Sequence, residues 1–332
     1  MHLLQVCNVG EICGGTAACA WSVTRSFPQW QHTVAFLNPV RHATRRAFAP
    51  HLVLEWPRVT AALVEAVEAD GLLLHNTSPH RLPEPVGVPT WQYAHSRTPL
   101  AAADATLYCS QWLADEWGAA SADVCWQGVP IPPWPAVIGA DRPCLPERPA
   151  VQDGSATVRV IDREFLVVGR LCTPTPRKWP TDVLPFYAAL TARCPFVWWE
   201  FVGCPRVLES ALRTACAGRA TFWSAGWERR DRYFTWDALL YHHPRLTESF
   251  GRTVAEAMCA GCVPIVDGRG GFREQLDRGG GFLCGTFSDF VTALDTLRDT
   301  ATRQAIAHRA IEVARERFSL EAFARRLTGW LT

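Results

Sequence analysis

The stretch TESFGRTVAEAMCAGCVPIVDGRGG, residues Thr247–Gly271, carries two carboxylates, Glu248 and Glu256, eight positions apart. Its pattern predicts a helix over Gly251–Ala260, with Gly261 just beyond the last turn. A short apolar strand and a glycine-rich turn follow. Free N–H groups at a helix start bind phosphate well, and at 1.5 Å per residue Glu256 lies roughly 8 Å further along the helix. The stretch therefore predicts a site for a ligand with a phosphate and, some distance away, hydroxyl groups, which is the layout of a nucleotide sugar.

The overall composition is that of a soluble globular protein. The chain has 332 residues, of which 48% are hydrophobic and 20% charged, with a net charge of +1. This length is sufficient for two domains, each with its own core. No apolar run reaches membrane-spanning length and the N-terminus lacks the order of a signal peptide, so we expect a cytoplasmic protein without a transmembrane segment. The first 150 residues hold nine Arg against twelve Asp and Glu, which argues against binding of nucleic acid. The oligomeric state is left open.

Short apolar strands alternate with helical stretches in two separate parts of the chain. This alternation favours an α/β fold with mostly parallel sheets and helices on both faces. A proline-rich stretch without periodicity separates the two parts. We predict an N-terminal domain over 1–140, a linker over 141–163, a C-terminal domain over 164–317 and a final helix over 318–332 that returns to the first domain.

The individual elements follow from the same periodicities. The predicted strands are Leu3–Cys7, Thr33–Leu37, Leu72–His75, Thr90–Tyr93, Thr106–Cys109, Val124–Trp126, Glu164–Val168, Phe196–Val202, Thr221–Trp223, Ala238–Tyr241, Val263–Val266 and Phe282–Leu283. The predicted helices are Gly15–Arg25, Thr60–Glu68, Gln111–Gly118, Asp182–Ala192, Val207–Cys216, Gly251–Ala260 (with Ser249 as its N-cap), Phe287–Asp299, Ala301–Arg317 and Leu320–Leu331.

Candidate cations follow the strand EFLVV, which is predicted to end at Gly169-Arg170. In open α/β sheets, ligands bind beyond the carboxyl ends of the strands, so Arg170 is expected near the ligand. Lys178 is the only lysine among 33 basic residues, which suggests a need for a compact ammonium group there. Its neighbour Arg177 is an alternative. Two cations and a helix start suit a diphosphate, whose charge rises as it leaves.

The thirteen cysteines show no metal-binding spacing. Cys259 and Cys262 form the only CxxC, and a zinc site would need a second such pair or suitably spaced histidines. Both flank Gly261, where small residues pack well. We therefore expect free thiols in a reducing compartment and no bound metal.

The sequence resembles the retaining glycosyltransferases of family 4, which have the GT-B fold: two Rossmann-like domains facing a central cleft. The resemblance covers nearly the whole chain and is strongest in ESFGRTVAE, AMCAGCVPIV and GGFREQL. VVGRL with a downstream lysine is similar to the family's diphosphate-binding segment. Weaker similarities are Gly14-Gly15 after the first strand and His95 in WQYAHS. One departure is Arg252, which stands where the family usually has an aliphatic residue.

The resemblance implies specific roles. Glu256 would hold the ribose hydroxyls, Glu248 would contact the donor sugar, and His95 or His75 would meet that sugar in the first domain. Arg252 could add a phosphate contact. The implied catalytic residues are Glu248, His95, Arg170 and Lys178. The implied donor-binding residues are Gly14, Gly15, Arg170, Lys178, Glu248, Ser249, Phe250, Gly251, Arg252, Thr253 and Glu256.

The implied activity is retaining, metal-independent transfer of a sugar from a nucleotide-diphosphate donor to an acceptor hydroxyl. The donor would be a UDP or GDP sugar, and no other cofactor is implied. The acceptor, a small molecule, a saccharide or an envelope precursor, is left open. Two alternatives remain: a non-hydrolysing nucleotide-sugar epimerase with the GT-B fold, and a catalytically inactive donor-binding scaffold.

Overall fold

The computed structural model describes residues 1–130, 151–152, 158–159 and 165–331. The chain divides into two compact units. Unit 1 comprises Met1–Pro130, Thr247–Arg252 and Arg315–Thr332, and unit 2 comprises Ile131–Leu246 and Thr253–Ala314.

Unit 1 is built on a six-stranded sheet in which every strand pair is parallel, in the order β3-β2-β1-β4-β5-β6. Its strands are β1 His2–Cys7, β2 Gln31–Phe36, β3 Leu52–Glu55, β4 Gly71–His75, β5 Thr90–Ala94 and β6 Ala105–Tyr108. Its first four helices are α1 Gly15–Ser26, α2 His42–Phe48, α3 Ala61–Glu65 and α4 Gln111–Trp117. Because both faces of the sheet are covered, the central strands are buried along almost their whole length, as expected of a parallel sheet.

Unit 1 differs from the sequence prediction in three places. Strand β3 and helix α2 were not predicted. β3 lies at the sheet edge and leaves Leu52 56% exposed, and α2 has seven residues without a side-chain cap, so neither leaves a strong pattern in the sequence. The strand predicted at Val124–Trp126 is only a single bridge between Val124 and Tyr108.

The predicted linker over 141–163 lies outside the described residues, apart from two short strands. These are β7 Val151–Gln152 and β8 Val158–Arg159, which pair antiparallel.

Unit 2 repeats the topology of unit 1, with an all-parallel sheet in the order β11-β10-β9-β12-β13-β14. Its strands are β9 Leu166–Leu171, β10 Val197–Val202, β11 Ala220–Trp223, β12 Ala238–Tyr241, β13 Val263–Asp267 and β14 Phe282–Cys284. The remaining helices of the chain are α5 Val183–Arg193, α6 Arg206–Ala215, α7 Arg252–Cys259, α8 Gly271–Gln275, α9 Phe287–Thr296, α10 Thr300–Phe318 and α11 Leu320–Leu331, the last of which belongs to unit 1.

The predicted elements of unit 2 are present, β12 with the predicted limits and the others with shifted ends. The most consequential shift is in β9, which was predicted to end before Gly169-Arg170 but continues to Leu171. Its pairing with β10 extends to Leu171 opposite Val202, so Arg170 is a strand residue rather than the first loop residue. No helix among the described residues has the length and apolarity needed to cross a membrane.

Candidate functional site

Helix α7 contains the second carboxylate of the opening stretch. The helix begins at Arg252, directly after Gly251, whose φ of +83° lies in the region that favours glycine. The predicted N-cap, Ser249, therefore lies before this turn and not at the helix boundary. At the other end Gly261 has a φ of +73° and closes the helix as predicted.

The Glu256 carboxylate is buried, with 3% of its surface exposed, and ionically paired. Arg230 Nε lies 3.0 Å from Glu256 Oε1, and Tyr233 donates its hydroxyl to Oε2 at 3.4 Å. Both partners belong to the 3₁₀ segment Trp227–Phe234. The two oxygens of this carboxylate thus face a guanidinium on one side and a hydroxyl donor on the other.

Arg230 also packs over the ring of Trp227, with its guanidinium carbon 3.8 Å from the ring centroid. A cation–π contact of this kind adds to the stability of the arginine position. The side chain beside Glu256 is thus fixed by both a carboxylate and an aromatic face. Arg230 was not predicted from the sequence, because its pairing with Glu256 depends on the conformation of the irregular segment Trp227–Phe234.

A second buried carboxylate anchors that segment. Glu200 on β10 accepts hydrogen bonds from the Arg232 guanidinium, the closest at 2.8 Å, and from the indoles of Trp236 at 2.8 Å and Trp223 at 3.2 Å. Glu200 is only 1% exposed, so these donors satisfy oxygens that are withdrawn from water. The signal was present in the sequence as one acidic residue inside the apolar run FVWWEFV.

Arg170 is enclosed within unit 2, contrary to the expected position at the end of the strand. Its guanidinium donates to the carbonyl oxygens of His242 at 2.7 Å and Lys178 at 2.8 Å and lies over the rings of Trp179 and Tyr241. With 1% exposure, Arg170 acts here on the loop that follows β9 and fixes its main chain.

That loop is held from a second side by His243. The Nδ1 atom of His243 accepts the N–H groups of Arg245 and Leu246, so the proton is on Nε2, which donates to the Arg177 carbonyl oxygen at 2.8 Å. The main chain at Arg177 and Lys178 is therefore fixed by two buried side chains. The Arg177 side chain is exposed and that of Lys178 is partly exposed.

In unit 1, Gly14 and Gly15 form the start of α1. Gly14 is the N-cap, without a side-chain hydrogen bond to the helix. A methyl group added at Gly15 would meet no atom within 4 Å. The first turn of this helix therefore leaves open space beside its main chain, and it carries no acidic residue.

The segment Thr247–Arg252 belongs to unit 1. Glu248 and Ser249 are partly exposed, whereas Phe250 is buried and its ring packs edge-on against Phe318. Arg252 was expected to add a phosphate contact. Its side chain instead donates within unit 1, to Gly128 O at 2.9 Å and Ser22 Oγ at 3.1 Å.

His75 and His95 are hydrogen-bonded to each other, with His75 Nδ1 3.1 Å from His95 Nε2. Burial lowers the pKa of His75 to about 3. Burial, with smaller contributions from His75 and Arg252, holds the pKa of His95 well below its ordinary value. The two histidines that sequence analysis treated as alternatives therefore form one neutral pair.

Comparison with known proteins supports the fold. Residues 222–317 match the family model described as Glycosyl transferases group 1, and no curated protein sequence matches the chain. The chain is similar to Anabaena Alr3699/HepE, solved in complex with UDP-glucose, at 18% identity and a TM-score of 0.72 over 100% of this chain and 99% of the other. It is also similar to a glycosyltransferase from Rickettsia africae ESF-5, at 12% identity and a TM-score of 0.75, over 99% and 97% of the two chains. A sucrose-phosphate synthase from Thermosynechococcus elongatus has 14% identity and a TM-score of 0.71, over 99% and 98%. The predicted GT-B fold is confirmed.

Proposed function

We propose that the protein is a nucleotide-sugar-dependent glycosyltransferase that transfers a sugar to an acceptor hydroxyl with retention of configuration and without a metal. The observation that carries the proposal is the buried Glu256 carboxylate on α7, which pairs with Arg230 and lies within the segment that matches the family model. Solved relatives of the same fold contain UDP or UDP-glucose. The donor is accordingly a UDP or GDP sugar.

Helix α7 and the turn before it supply the nucleotide contacts in this proposal. Glu256 accepts the two ribose hydroxyls, since an ionised carboxylate can accept both. Arg230 must then share or release the carboxylate oxygen that it pairs with in the structure. The N–H groups at the start of α7, around Gly251 and Thr253, bind a phosphate.

The leaving diphosphate is stabilised by Lys178 or Arg177. Arg170 contributes through the loop whose carbonyl oxygens it binds, and it fixes where these cations can reach. Cations placed where charge develops in the transition state lower the barrier more than they strengthen ground-state binding. Glu248, Gly14, Gly15 and His95 provide the sugar and phosphate contacts of unit 1.

The reaction proceeds on one face of the sugar. The bond between the anomeric carbon and the diphosphate oxygen breaks, the acceptor oxygen bonds to the same carbon, and the acceptor proton passes to the departing phosphate. No carboxylate then needs to act as a covalent nucleophile, and configuration is retained.

Thermal-shift assays with a panel of nucleotides and nucleotide sugars test the donor site. We expect UDP or GDP, or one of their sugars, to raise the melting temperature of the wild-type protein, and Glu256→Gln to abolish that rise. Glu312→Gln, an exposed carboxylate on α10, is the matched control and should respond as the wild type does. A panel without any stabilising nucleotide would contradict the proposal.

Product analysis separates the alternatives. Epimerisation of the free nucleotide sugar without an acceptor would identify an epimerase. Binding without any turnover across an acceptor panel would identify a donor-binding scaffold. The anomeric configuration of the product, measured by NMR, tests retention.

A further inference from the structure

A continuous row of polar side chains crosses unit 1 from the start of α7 to the central strand β1. Arg252 Nη1 lies 3.2 Å from Gln127 Oε1, and Gln127 Nε2 lies 2.9 Å from His95 Nδ1. His95 Nε2 lies 3.1 Å from His75 Nδ1, and His75 Nε2 lies 3.0 Å from Gln5 Oε1. All except the partly exposed His95 are buried.

The direction of every hydrogen bond in this row is set by Arg252. A guanidinium only donates, so the Gln127 oxygen must face it and the Gln127 amide N–H must face His95. His95 Nδ1 is therefore the acceptor, and its proton lies on Nε2, which donates to His75 Nδ1. His75 in turn carries its proton on Nε2 and donates to Gln5.

Arg252 is itself held by two further acceptors, Gly128 O and Ser22 Oγ, and is 7% exposed. Three acceptors from two parts of unit 1, the segment 127–128 and helix α1, thus converge on one guanidinium. An aliphatic residue is expected at this position, and Arg252 replaces its apolar packing with hydrogen bonds.

We infer that Arg252 is a positioning residue, which fixes both His75 and His95 as neutral Nε2–H tautomers and ties the segment Thr247–Arg252 to that pair. The catalytic consequence rests on the proposed function. With both ring nitrogens engaged, His95 does not exchange protons with the substrate, and its contribution is to present a fixed ring beside the segment that carries Glu248.

A metal site is the competing reading of the same residues. The ligand atoms of Cys19, His75 and His95 lie within 4.8 Å of one another. Two observations favour the hydrogen-bonded row: the facing ring nitrogens already satisfy each other at 3.1 Å, and burial raises the pKa of the Cys19 thiol to about 12, which opposes the thiolate that a metal requires.

NMR of protein labelled with ¹⁵N-histidine identifies the tautomer of each ring. The variants His75→Gln and His95→Gln assign the two sets of signals. We expect both rings of the wild type to show a protonated Nε2 and a bare Nδ1. Gln127→Glu presents a carboxylate to His95, so a proton should appear on His95 Nδ1. Finding His95 Nδ1 protonated in the wild type, or bare in Gln127→Glu, would overturn the inference.

The role of Arg252 itself is tested with Arg252→Met and Arg252→Lys. Methionine frees the Gln127 amide to turn, so signals of both tautomers are expected at His95, whereas lysine still donates and should preserve the wild-type pattern. Arg303→Met removes a partly buried arginine paired with Asp237 in unit 2 and should leave the histidine spectrum unchanged. An unaltered spectrum in Arg252→Met would remove Arg252 from the row.

Two further measurements distinguish the positioning role of Arg252 from the proposed function and from a metal site. If the proposed function holds, Arg252→Met lowers kcat about tenfold with little change in the donor KM, as expected for a group that acts after binding. The NMR result stands whether or not turnover is found. Addition of Zn²⁺ should change nothing; stoichiometric binding that Cys19→Ser abolishes would replace the hydrogen-bonded row with a metal site.

Discussion

At the scale of single residues, the two carboxylates of the opening stretch have different environments. Glu256 is buried against Arg230, whereas Glu248 is partly exposed. Burial and pairing suit a residue that holds one ligand group in a fixed geometry. Partial exposure leaves the Glu248 carboxylate accessible to a ligand. The proposed division between ribose binding and the reacting sugar follows this difference.

Glu248→Gln tests the second role. The amide preserves the shape but loses the negative charge, so we expect kcat to fall by about 100-fold while the melting temperature stays close to that of the wild type. Glu321→Gln, which alters an exposed glutamate in the first turn of α11, controls for the loss of a charge near a helix start. Turnover within threefold of wild type would exclude Glu248 from the reacting centre.

The neutral histidine pair predicts how stability depends on pH. His75 faces Gln5, His95 and Tyr93, and burial lowers its pKa from 6.5 to about 3. Between these values the unfolded chain binds a proton that the folded chain does not, so stability is fully present above pH 6.5 and is lost as the pH falls. One such histidine contributes about 1.4 kcal/mol per pH unit.

Urea unfolding at pH 6.5 and pH 5 measures this effect. His75→Gln retains hydrogen-bonding groups without a titrating ring, so its loss of unfolding free energy on acidification should be smaller than that of the wild type by about 2 kcal/mol. His80→Gln, at an exposed position, should show the wild-type dependence. Equal acid sensitivity of His75→Gln and wild type would mean that His75 is protonated in the folded protein.

At the scale of elements, the start of α1 offers a test that separates structure from binding. A side chain at Gly15 would meet open space, so Gly15→Ala should raise stability by about 0.5–1 kcal/mol through the unfolded state. If the main chain there approaches the donor phosphate, the same substitution should weaken nucleotide binding.

Gly329→Ala is the matched control for Gly15. Gly329 lies in α11 and also has no atom within 4 Å of an added methyl group, so the same stabilisation is expected, but without a change in nucleotide affinity. Isothermal titration with UDP or GDP and thermal unfolding measure the two effects. An equal nucleotide affinity of both variants and the wild type would remove Gly15 from the donor site.

The elements also show what the sequence could and could not predict. Long periodic segments such as α11 were predicted with the observed limits, because a buried face repeats every turn. The edge strand β3 was missed, since it is short and half-exposed. Arg170 was misplaced because a charged residue suggested a strand end, whereas aromatic rings and carbonyl oxygens inside the unit accommodate it.

The same reasoning applies to the candidate site. Glu248 and Glu256 could be proposed from the sequence because they stand at fixed spacing in one contiguous segment. Arg230 and Gln127 could not, because each gains its role from a partner distant in the chain: Arg230 from Glu256, and Gln127 from Arg252 and His95. Such pairings depend on the tertiary fold, which brings residues distant in the chain together.

At the scale of the whole molecule, the reactivity of buried thiols measures the opening of each unit separately. Twelve of the thirteen cysteines are in the described part of the chain, and of these twelve only Cys13 is not buried. Unit 1 has Cys7, Cys13, Cys19, Cys109 and Cys125, and unit 2 has Cys172, Cys194, Cys204, Cys216, Cys259, Cys262 and Cys284. Burial raises the pKa of several of these thiols, to about 12 at Cys216 and Cys284, so they react only when their unit opens.

Thiol labelling followed by mass spectrometry therefore measures the opening of each unit. A nucleotide that binds only the closed form of unit 2 lowers its open population by the factor 1 + [L]/Kd, about 100-fold at 100 times Kd. We expect the unit 2 cysteines to be labelled more slowly by that factor when UDP or GDP is present. Cys13, which is partly exposed, is labelled without opening and serves as the internal control.

If the buried unit 1 cysteines are protected to the same degree, the two units open as one cooperative body. If neither set is protected, the nucleotide does not bind and the donor-site proposal fails independently of any acceptor.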